Sequence, residues 1–367
     1  MDKMDAGGLS NRAAKDATDE EMMSCDISNE NVDPVTEITL KDTPIRNLWS
    51  TKNSSLIALV FQQSSLVLMI RYSRIIGAEA DHVPYIPSVV VVSAEVLKLL
   101  LNMALEIIIG DDGDCRAILE TTVSMESLKL FIPALLYLVQ NNLLFVALRN
   151  LSVPVYQVLN QGKLFTTAFF SRLLLGRIIS YRQYFSLLVL AIGVVTVQQS
   201  TNIKSSSSAY EGNPWVGCLA VAVSCLTSGF ATVYFEKVLK HNKGKKILSV
   251  YSRNMQLAFW SIVLGTIPIV MTDDWDKVKK EGFFQGYTWV VFTIIIFQTL
   301  TGLLVGLVMK HADAVLKGFA TSVAVVLATV LSVIIFKDNL GQIFLVGAAL
   351  VGFSVRMYTK NPVVNDK

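Results

Sequence analysis

The sequence predicts an all-α integral membrane protein with ten transmembrane helices in two inverted five-helix repeats, and three observations carry that expectation. Hydrophobic residues make up 52% of the 367-residue chain and charged residues only 17%, with a mean hydropathy of +0.50. That balance lies far from the average soluble domain. The apolar residues gather into ten segments, near 55–72, 86–109, 128–148, 153–176, 181–199, 214–236, 249–271, 286–309, 313–336 and 339–357. Each is close to the roughly 20 residues a helix needs to cross the hydrocarbon core. Five spans per half make the second half enter the membrane in the opposite orientation, an arrangement that places binding sites at the midplane between repeats.

In chain order, residues 1–52 are rich in Asp, Glu, Asn and Ser and poor in aromatics, and they lack the basic start and short apolar core of a cleavable signal. They read as a disordered tail, which leaves membrane targeting to the first span. The first repeat occupies 53–200 and the second 213–358. A linker loop at 201–212, with the polar run Lys204–Ser208, joins them, and a short tail follows at 359–367. An even number of spans puts both termini on one side. Lys and Arg are twice as frequent in the loops of that side, sixteen against eight, with the densest run at Lys237, Lys240, Lys243, Lys245 and Lys246. By the positive-inside rule both termini are cytosolic.

The informative residues are the polar ones inside the spans. A lysine at mid-bilayer costs about 2.5–3.5 kcal/mol on insertion scales, so an intramembrane ionisable residue marks a functional site by default. Lys163 lies deep in the fourth span and Lys317 in the ninth, and neither has a carboxylate within a helical turn. Arg172 is near enough to a helix end to snorkel, Arg253 starts its helix beside the basic loop, and Lys98 has Glu95 three residues earlier, on the same face. Two buried cations imply an anionic solute crossing the membrane.

Helical spacing gathers further side chains around them. Tyr156, Asn160 and Lys163 fall on one stripe, Tyr137 and Asn141 on another, and Lys317 has Thr321 one turn on. An aromatic ring, an amide and an ammonium together could stack a base, hydrogen-bond its edge and neutralise phosphate. For Asn141 or Thr321 alone, bonding between helices is an equal alternative.

Other constellations point nowhere in particular. Asp111, Asp112 and Asp114, like Asp273, Asp274 and Asp276, superficially look like metal-holding pairs, but they sit in short loops and read as solvated. His82, His241 and His311 are scattered without zinc spacing. Cys25 and Cys115 fall on the cytosolic side, and Cys218 and Cys225 read as small packing residues, so no disulfide is expected. The sequons at Asn53 and Asn150 are expected to stay unused, one cytosolic and one too close to the membrane. Glycines such as Gly193, Gly302, Gly306, Gly347 and Gly352 would let helices approach closely. No metal or cofactor is implied. A membrane-bound transferase would need clustered catalytic carboxylates or histidines at one face, and a scaffold would not need the two lysines.

Several stretches carry a family resemblance. Tyr137–Asn142 (YLVQNN), Val155–Lys163 (VYQVLNQGK), Ser228–Lys240 (SGFATVYFEKVLK), Arg253–Gln256 (RNMQ), Gly282–Thr288 (GFFQGYT) and Leu316–Ser322 (LKGFATS) occur in order. Over about residues 55–358 the chain resembles the nucleotide-sugar transporters of the Golgi and endoplasmic reticulum. The resemblance implies a ten-helix drug/metabolite-transporter fold that exchanges cytosolic nucleotide sugar for lumenal nucleoside monophosphate. It implies that Tyr137, Asn141, Tyr156, Lys163, Asn254 and Lys317 line the cavity, with the lysines facing phosphate. Where the CMP-sialic acid branch has Tyr four residues after Asn254, this chain has Ala258, and Asn160 stands where relatives often have Tyr. The first departure weakens a cytidine reading. The wording of the motifs is closest to the UDP-galactose and UDP-N-acetylglucosamine branch, so a UDP-sugar exchanged for UMP is expected, with CMP-sialic acid or another nucleotide sugar as the alternative and a transferase or scaffold as a remote one. The C-terminal Asn365-Asp366-Lys367 is not a dilysine retrieval signal, which favours the Golgi over the endoplasmic reticulum. The partners implied are the UDP-sugar, UMP and the lipid bilayer, with no nucleic acid. A homo-oligomer or a complex with lumenal glycosyltransferases is left open.

Overall fold

The computed structural model describes residues 51–79, 85–109, 115–200, 213–240, 248–271, 274–336, 341–360 and 364–365, all within the unit Leu48–Lys367. Most of the expected N-terminal tail and all of the expected linker 201–212 lie outside them, as do Asp111, Asp112, Asp114, Asp273, His82, His241 and Cys25. The helices are α1 (Thr51–Glu79), α2 (Pro87–Ile109), α3 (Cys115–Val123), α4 (Leu128–Asn150), α5 (Val153–Asn160), α6 (Gly162–Leu175), α7 (Tyr181–Ser200), α8 (Pro214–Lys240), α9 (Val250–Met271), α10 (Asp274–Glu281), α11 (Trp289–His311), α12 (Ala314–Phe336) and α13 (Ile343–Thr359). Two short strands, β1 (Arg177–Ile178) and β2 (Val364–Asn365), pair antiparallel.

Among the described residues, eight helices are long and apolar enough to cross a membrane: α1, α2, α4 with the turn before it, α7, α8, α9, α11 and α12. The protein is thus an all-helical, multi-pass membrane protein. The ten expected spans are met differently at two places. The expected span 153–176 is two helices meeting at Gln161, and α13 has only 17 residues. At the break the Gln161 N–H bonds the Val158 carbonyl, a tighter 3₁₀-type turn, but Gln161 keeps right-handed angles (φ −64°, ψ −18°). The axis therefore continues across the break, and Tyr156, Asn160 and Lys163 keep their common stripe. The acidic 274–276 segment is the first turn of the short helix α10, where carboxylates suit the positive end of the dipole.

Punctuation follows local chemistry. Proline starts α2 and α8, where its missing N–H costs nothing. Gly176 ends α6 in the left-handed conformation at φ +64°, donating its N–H to the Arg172 carbonyl.

Contacts between helices fix directions. α1 runs parallel to α12, since Leu59 packs with Ala320, Ser64 donates to the Ala324 carbonyl at 2.9 Å and Arg71 reaches Ser332. It runs antiparallel to α11, where the Gln62 amide bonds the Phe297 carbonyl and the Thr301 hydroxyl. Tyr358, at the end of α13, packs on Phe319 with ring centroids 4.5 Å apart. The start of α1, the start of α12 and the end of α13 thus share one end of the bundle.

Small residues set the closest approaches. α7 and α13 pass antiparallel with backbones almost touching. A Cβ on Gly193 would lie 3.0 Å from the Val351 nitrogen, and one on Gly347 would lie 2.8 Å from the Val197 nitrogen. In lipid, where apolar burial between helices supplies little drive, such packing holds helices together. Gly347→Val should therefore destabilise the protein by about 1–3 kcal/mol through overpacking against backbone that cannot yield. Gly352→Ala, with nothing within 4 Å of the new Cβ, should be neutral or slightly stabilising. Thermal melts of the purified protein in detergent check both, and equal loss in the two variants would contradict the packing account.

Candidate functional site

One cavity of about 780 Å³ lies within the bundle, lined from α1, α2, α4 to α9, α11 and α12. Its size falls in the roughly 300–1,000 Å³ range of small-molecule sites. Tyr137, Asn141, Tyr156, Asn160, Lys163, Asn254, Lys317 and Thr321 all line it, so the structure brings these eight residues around one space.

Lys163 and Lys317 line the same cavity because α6 and α12 approach each other at the residue after each lysine. A Cβ on Gly318 would lie 2.8 Å from the Leu164 side chain, so Gly318 is the socket for Leu164. Lys317 and Lys163 are the residues immediately before the two contacting ones. Each lysine sits in the first turn of its helix. Among the described residues neither forms an ion pair.

The start of α12 is held by two carboxylates. Asp313 caps it, accepting the Leu316 N–H at 2.7 Å, and Glu236 accepts the Ala314 N–H at 2.9 Å. Asp313 lies outside the spans, and burial pushes its carboxyl above the ordinary range, against the pull of the Leu316 N–H and the Arg177 charge. Arg177 is shifted upward: its burial opposes the charge, but Glu236, Asp313 and Tyr358 together more than offset that.

Asn254 is placed by a glycine socket and a neighbouring amide. It lies over Gly306, where a Cβ would come within 2.5 Å of its amide nitrogen. The Asn102 amide donates to the Lys98 carbonyl at 2.7 Å, which turns its oxygen toward the Asn254 amide nitrogen, 3.4 Å away. The Asn254 carbonyl oxygen is then the atom left to accept a bond from a solute. Tyr137 of α4 and Thr232 of α8 both line the cavity.

Sequence reasoning missed part of the lining. Glu95 and Lys98 do pair, at 2.5 Å, but they also face the cavity, with Lys98 seated against Gly302. Gln63 and Gln140 line it too, each with a buried carbonyl oxygen that has no partner. Their signal was an amide inside an otherwise apolar span, which alone does not separate a cavity from a helix contact. Arg253 lies in the first turn of α9, as expected, and is 2% exposed, donating to Gln256.

The cavity is closed at the end where α1 begins. The lining residues nearest that end, Phe235, Ala314 and Val315, are 2–3% exposed, while Val67, Val91 and Asn141 toward the other end are exposed.

Comparison with known proteins completes the picture. The family model described as "Nucleotide-sugar transporter" matches residues 48–359. The chain is 41% identical over 325 residues to a UDP-N-acetylglucosamine transporter of Rattus norvegicus, covering 85% of this chain and 96% of the relative. It is 41% identical over 314 residues to a UDP-galactose translocator of Mus musculus, covering 84% and 78%. A protein of known crystal structure superposes with a TM-score of 0.61 at 15% identity, over 84% of this chain and 96% of its own, a likeness of fold alone. A membrane-spanning helical bundle around a doubly cationic cavity is the build of a carrier for anions. The chain belongs to the nucleotide-sugar transporter family, whose members here are transporters and not enzymes.

The capping geometry makes a prediction. A raised folded pKa means that ionised Asp313 costs the folded state increasingly as pH climbs through that value. Asp313→Asn keeps an acceptor for the cap and drops the charge, so at pH 8 it should melt at or above the parent temperature, with the difference vanishing in acid. Asp313→Ala, losing the cap, should be destabilised by about 1 kcal/mol. Detergent melts between pH 4 and 8 read both.

Proposed function

We propose that the protein moves a UDP-sugar, UDP-N-acetylglucosamine or UDP-galactose, from the cytosol into the Golgi lumen in exchange for UMP, by alternating access, with both termini cytosolic. The observation that carries this reading is a cavity among membrane-spanning helices lined by both Lys163 and Lys317, neither of which forms an ion pair among the described residues. Each costs free energy there unless an anion lies against it, and a diphosphate offers charge to both. The names of the relatives, five of the first eight bearing N-acetylglucosamine and three galactose, support the UDP-sugar.

The eight lining residues take roles by chemistry. Lys163 and Lys317 neutralise phosphate. Tyr137 and Tyr156 offer rings to stack on a base, and Asn141, Asn160, Asn254 and Thr321 supply hydrogen bonds to base, ribose or sugar. With the cavity empty, two like charges face one another in low dielectric, so the empty carrier reorients slowly and bound nucleotide is needed for either crossing. Obligatory exchange follows without a coupling ion.

The same reading includes ten spans in two inverted repeats, counting α5 with α6 as one span and α13 as the last. Reciprocal packing supports it. α4 lies on α8 as α11 lies on α1, α9 lies on α4 as α11 lies on α2, and α6 packs on α8 as α12 packs on α1. In this pairing α6 and α12, the lysine helices, are counterparts.

Counterflow into liposomes loaded with UMP tests the proposal, with radiolabelled UDP-N-acetylglucosamine, UDP-galactose and CMP-sialic acid outside. UDP-sugar uptake should exceed that of CMP-sialic acid. Lys163→Gln or Lys317→Gln should cut it at least tenfold, about the worth of one charge-assisted bond, with the melt still cooperative. Rapid uptake into liposomes lacking nucleotide would overturn obligatory exchange, and full activity in both variants would overturn the site.

A further inference from the structure

Glu236 is fully buried, 0% exposed, and lies just behind the closed end of the cavity, next in sequence to the lining residue Phe235. Its carboxylate joins three separate segments. Arg177, following α6, donates through its two terminal nitrogens at 2.5 and 3.3 Å. Lys240, one turn along α8, donates at 2.7 Å and also bonds the Ala312 carbonyl. The Ala314 N–H at the start of α12 donates at 2.9 Å. Among the described residues, Arg177–Glu236 is the one ion pair that joins different elements; the others are within a helical turn.

A buried ion pair is poorly suited to adding stability, because desolvation offsets its attraction and an apolar substitute often does better. It is well suited to a contact that must open: as the segments part, water replaces each bond and solvates the freed charges, so a polar seam separates at lower cost than a tightly packed apolar one. The carboxylate also sits where opening matters. It ties together the ends of α6 and α12, the helices that carry Lys163 and Lys317, beside the buried plug of Phe235, Ala314 and Val315. β1, which contains Arg177, is in turn paired with β2 of the C-terminal segment.

We propose that Glu236 is the latch of the closed end: release of Arg177 and of the Ala314 N–H from its carboxylate opens the cavity toward the side where α1 begins and frees the start of α12 to move with Lys317. Glu236 is a positioning residue and does not itself meet the solute. The inference rests on the alternating-access reading above. It adds a location and a trigger for one of the two openings.

The test uses the full chain in detergent and a cysteine introduced at Val315, which is 3% exposed in the closed form. Its alkylation by a maleimide is followed by mass spectrometry of the peptide containing that position. A second cysteine at the exposed Val67 reports the other end. Arg177→Met should speed labelling at 315 by about tenfold or more, as the loss of a charged bond allows, without speeding labelling at 67. Arg177→Lys should restore slow labelling. Glu236→Gln, which keeps an acceptor for the Ala314 N–H, should act in the same direction as Arg177→Met and serves if that variant does not fold. Unchanged labelling at 315, or equal acceleration at both positions, overturns the latch. Labelling requires no solute, so failure of the transport reading shows separately, as absence of counterflow in the parent protein.

Discussion

The crossing of α6 and α12 at Leu164 and Gly318 is the constraint on which the rest of the structure depends. Because Gly318 has no side chain, the two helices come together at that point, and the lysine preceding each contact residue is carried to one cavity. Two ammonium groups in one cavity inside a membrane protein are unfavourable on their own. Polar residues from many helices line the space around them, and the carboxylates at the start of α12 bind backbone N–H groups and Arg177 rather than the lysines. That separation matters, since a carboxylate salted to either lysine would compete with any anionic solute.

Glycine does comparable work elsewhere in the bundle. Gly306 receives the amide of Asn254, Gly302 the stem of Lys98, and Gly229 the Thr166 side chain, which also bonds the Cys225 carbonyl at 2.7 Å. In each case the missing Cβ makes room for a polar side chain beside or within the cavity, so these glycines shape the site as much as they tighten helix packing. Gly193 and Gly347 serve the second purpose alone, locking α7 to α13 away from the lysines. The two uses look identical in a sequence. Only the neighbour across the interface separates them.

The distribution of polar contacts also gives the cavity a direction. At the end where α1 begins, Glu236, Arg253, Gln256 and Glu106 are buried and bonded, Glu106 accepting from Ser249 and Ser252. Toward the other end Val67, Val91 and Asn141 of the lining are exposed. A bundle sealed by polar contacts at one end and open at the other is one of the two states that alternating access requires. The buried charges at the seal are costly enough to be informative, since a seam built only for strength would be apolar.

Much of this was legible beforehand. Apolar runs near 20 residues located the helices, and the price of charge in lipid singled out Lys163 and Lys317, because those signals depend on composition and local spacing alone. Spacing of three and four likewise put Tyr156, Asn160 and Lys163 on one stripe, and that stripe survived a break at Gln161 which the apolar pattern did not reveal. What only the tertiary structure decided was which polar residues share a space. Glu95 and Lys98 read as a pair on one helix face but not as cavity lining, nothing in the local pattern marks Gln63 or Gln140, and Glu236 is one letter of a motif whose partners, Arg177 and Ala314, lie far away in the chain. Hydropathy and periodicity are set by neighbours along the chain, whereas a cavity or a latch is made by contacts between residues 59 or 78 positions apart, which no local pattern encodes.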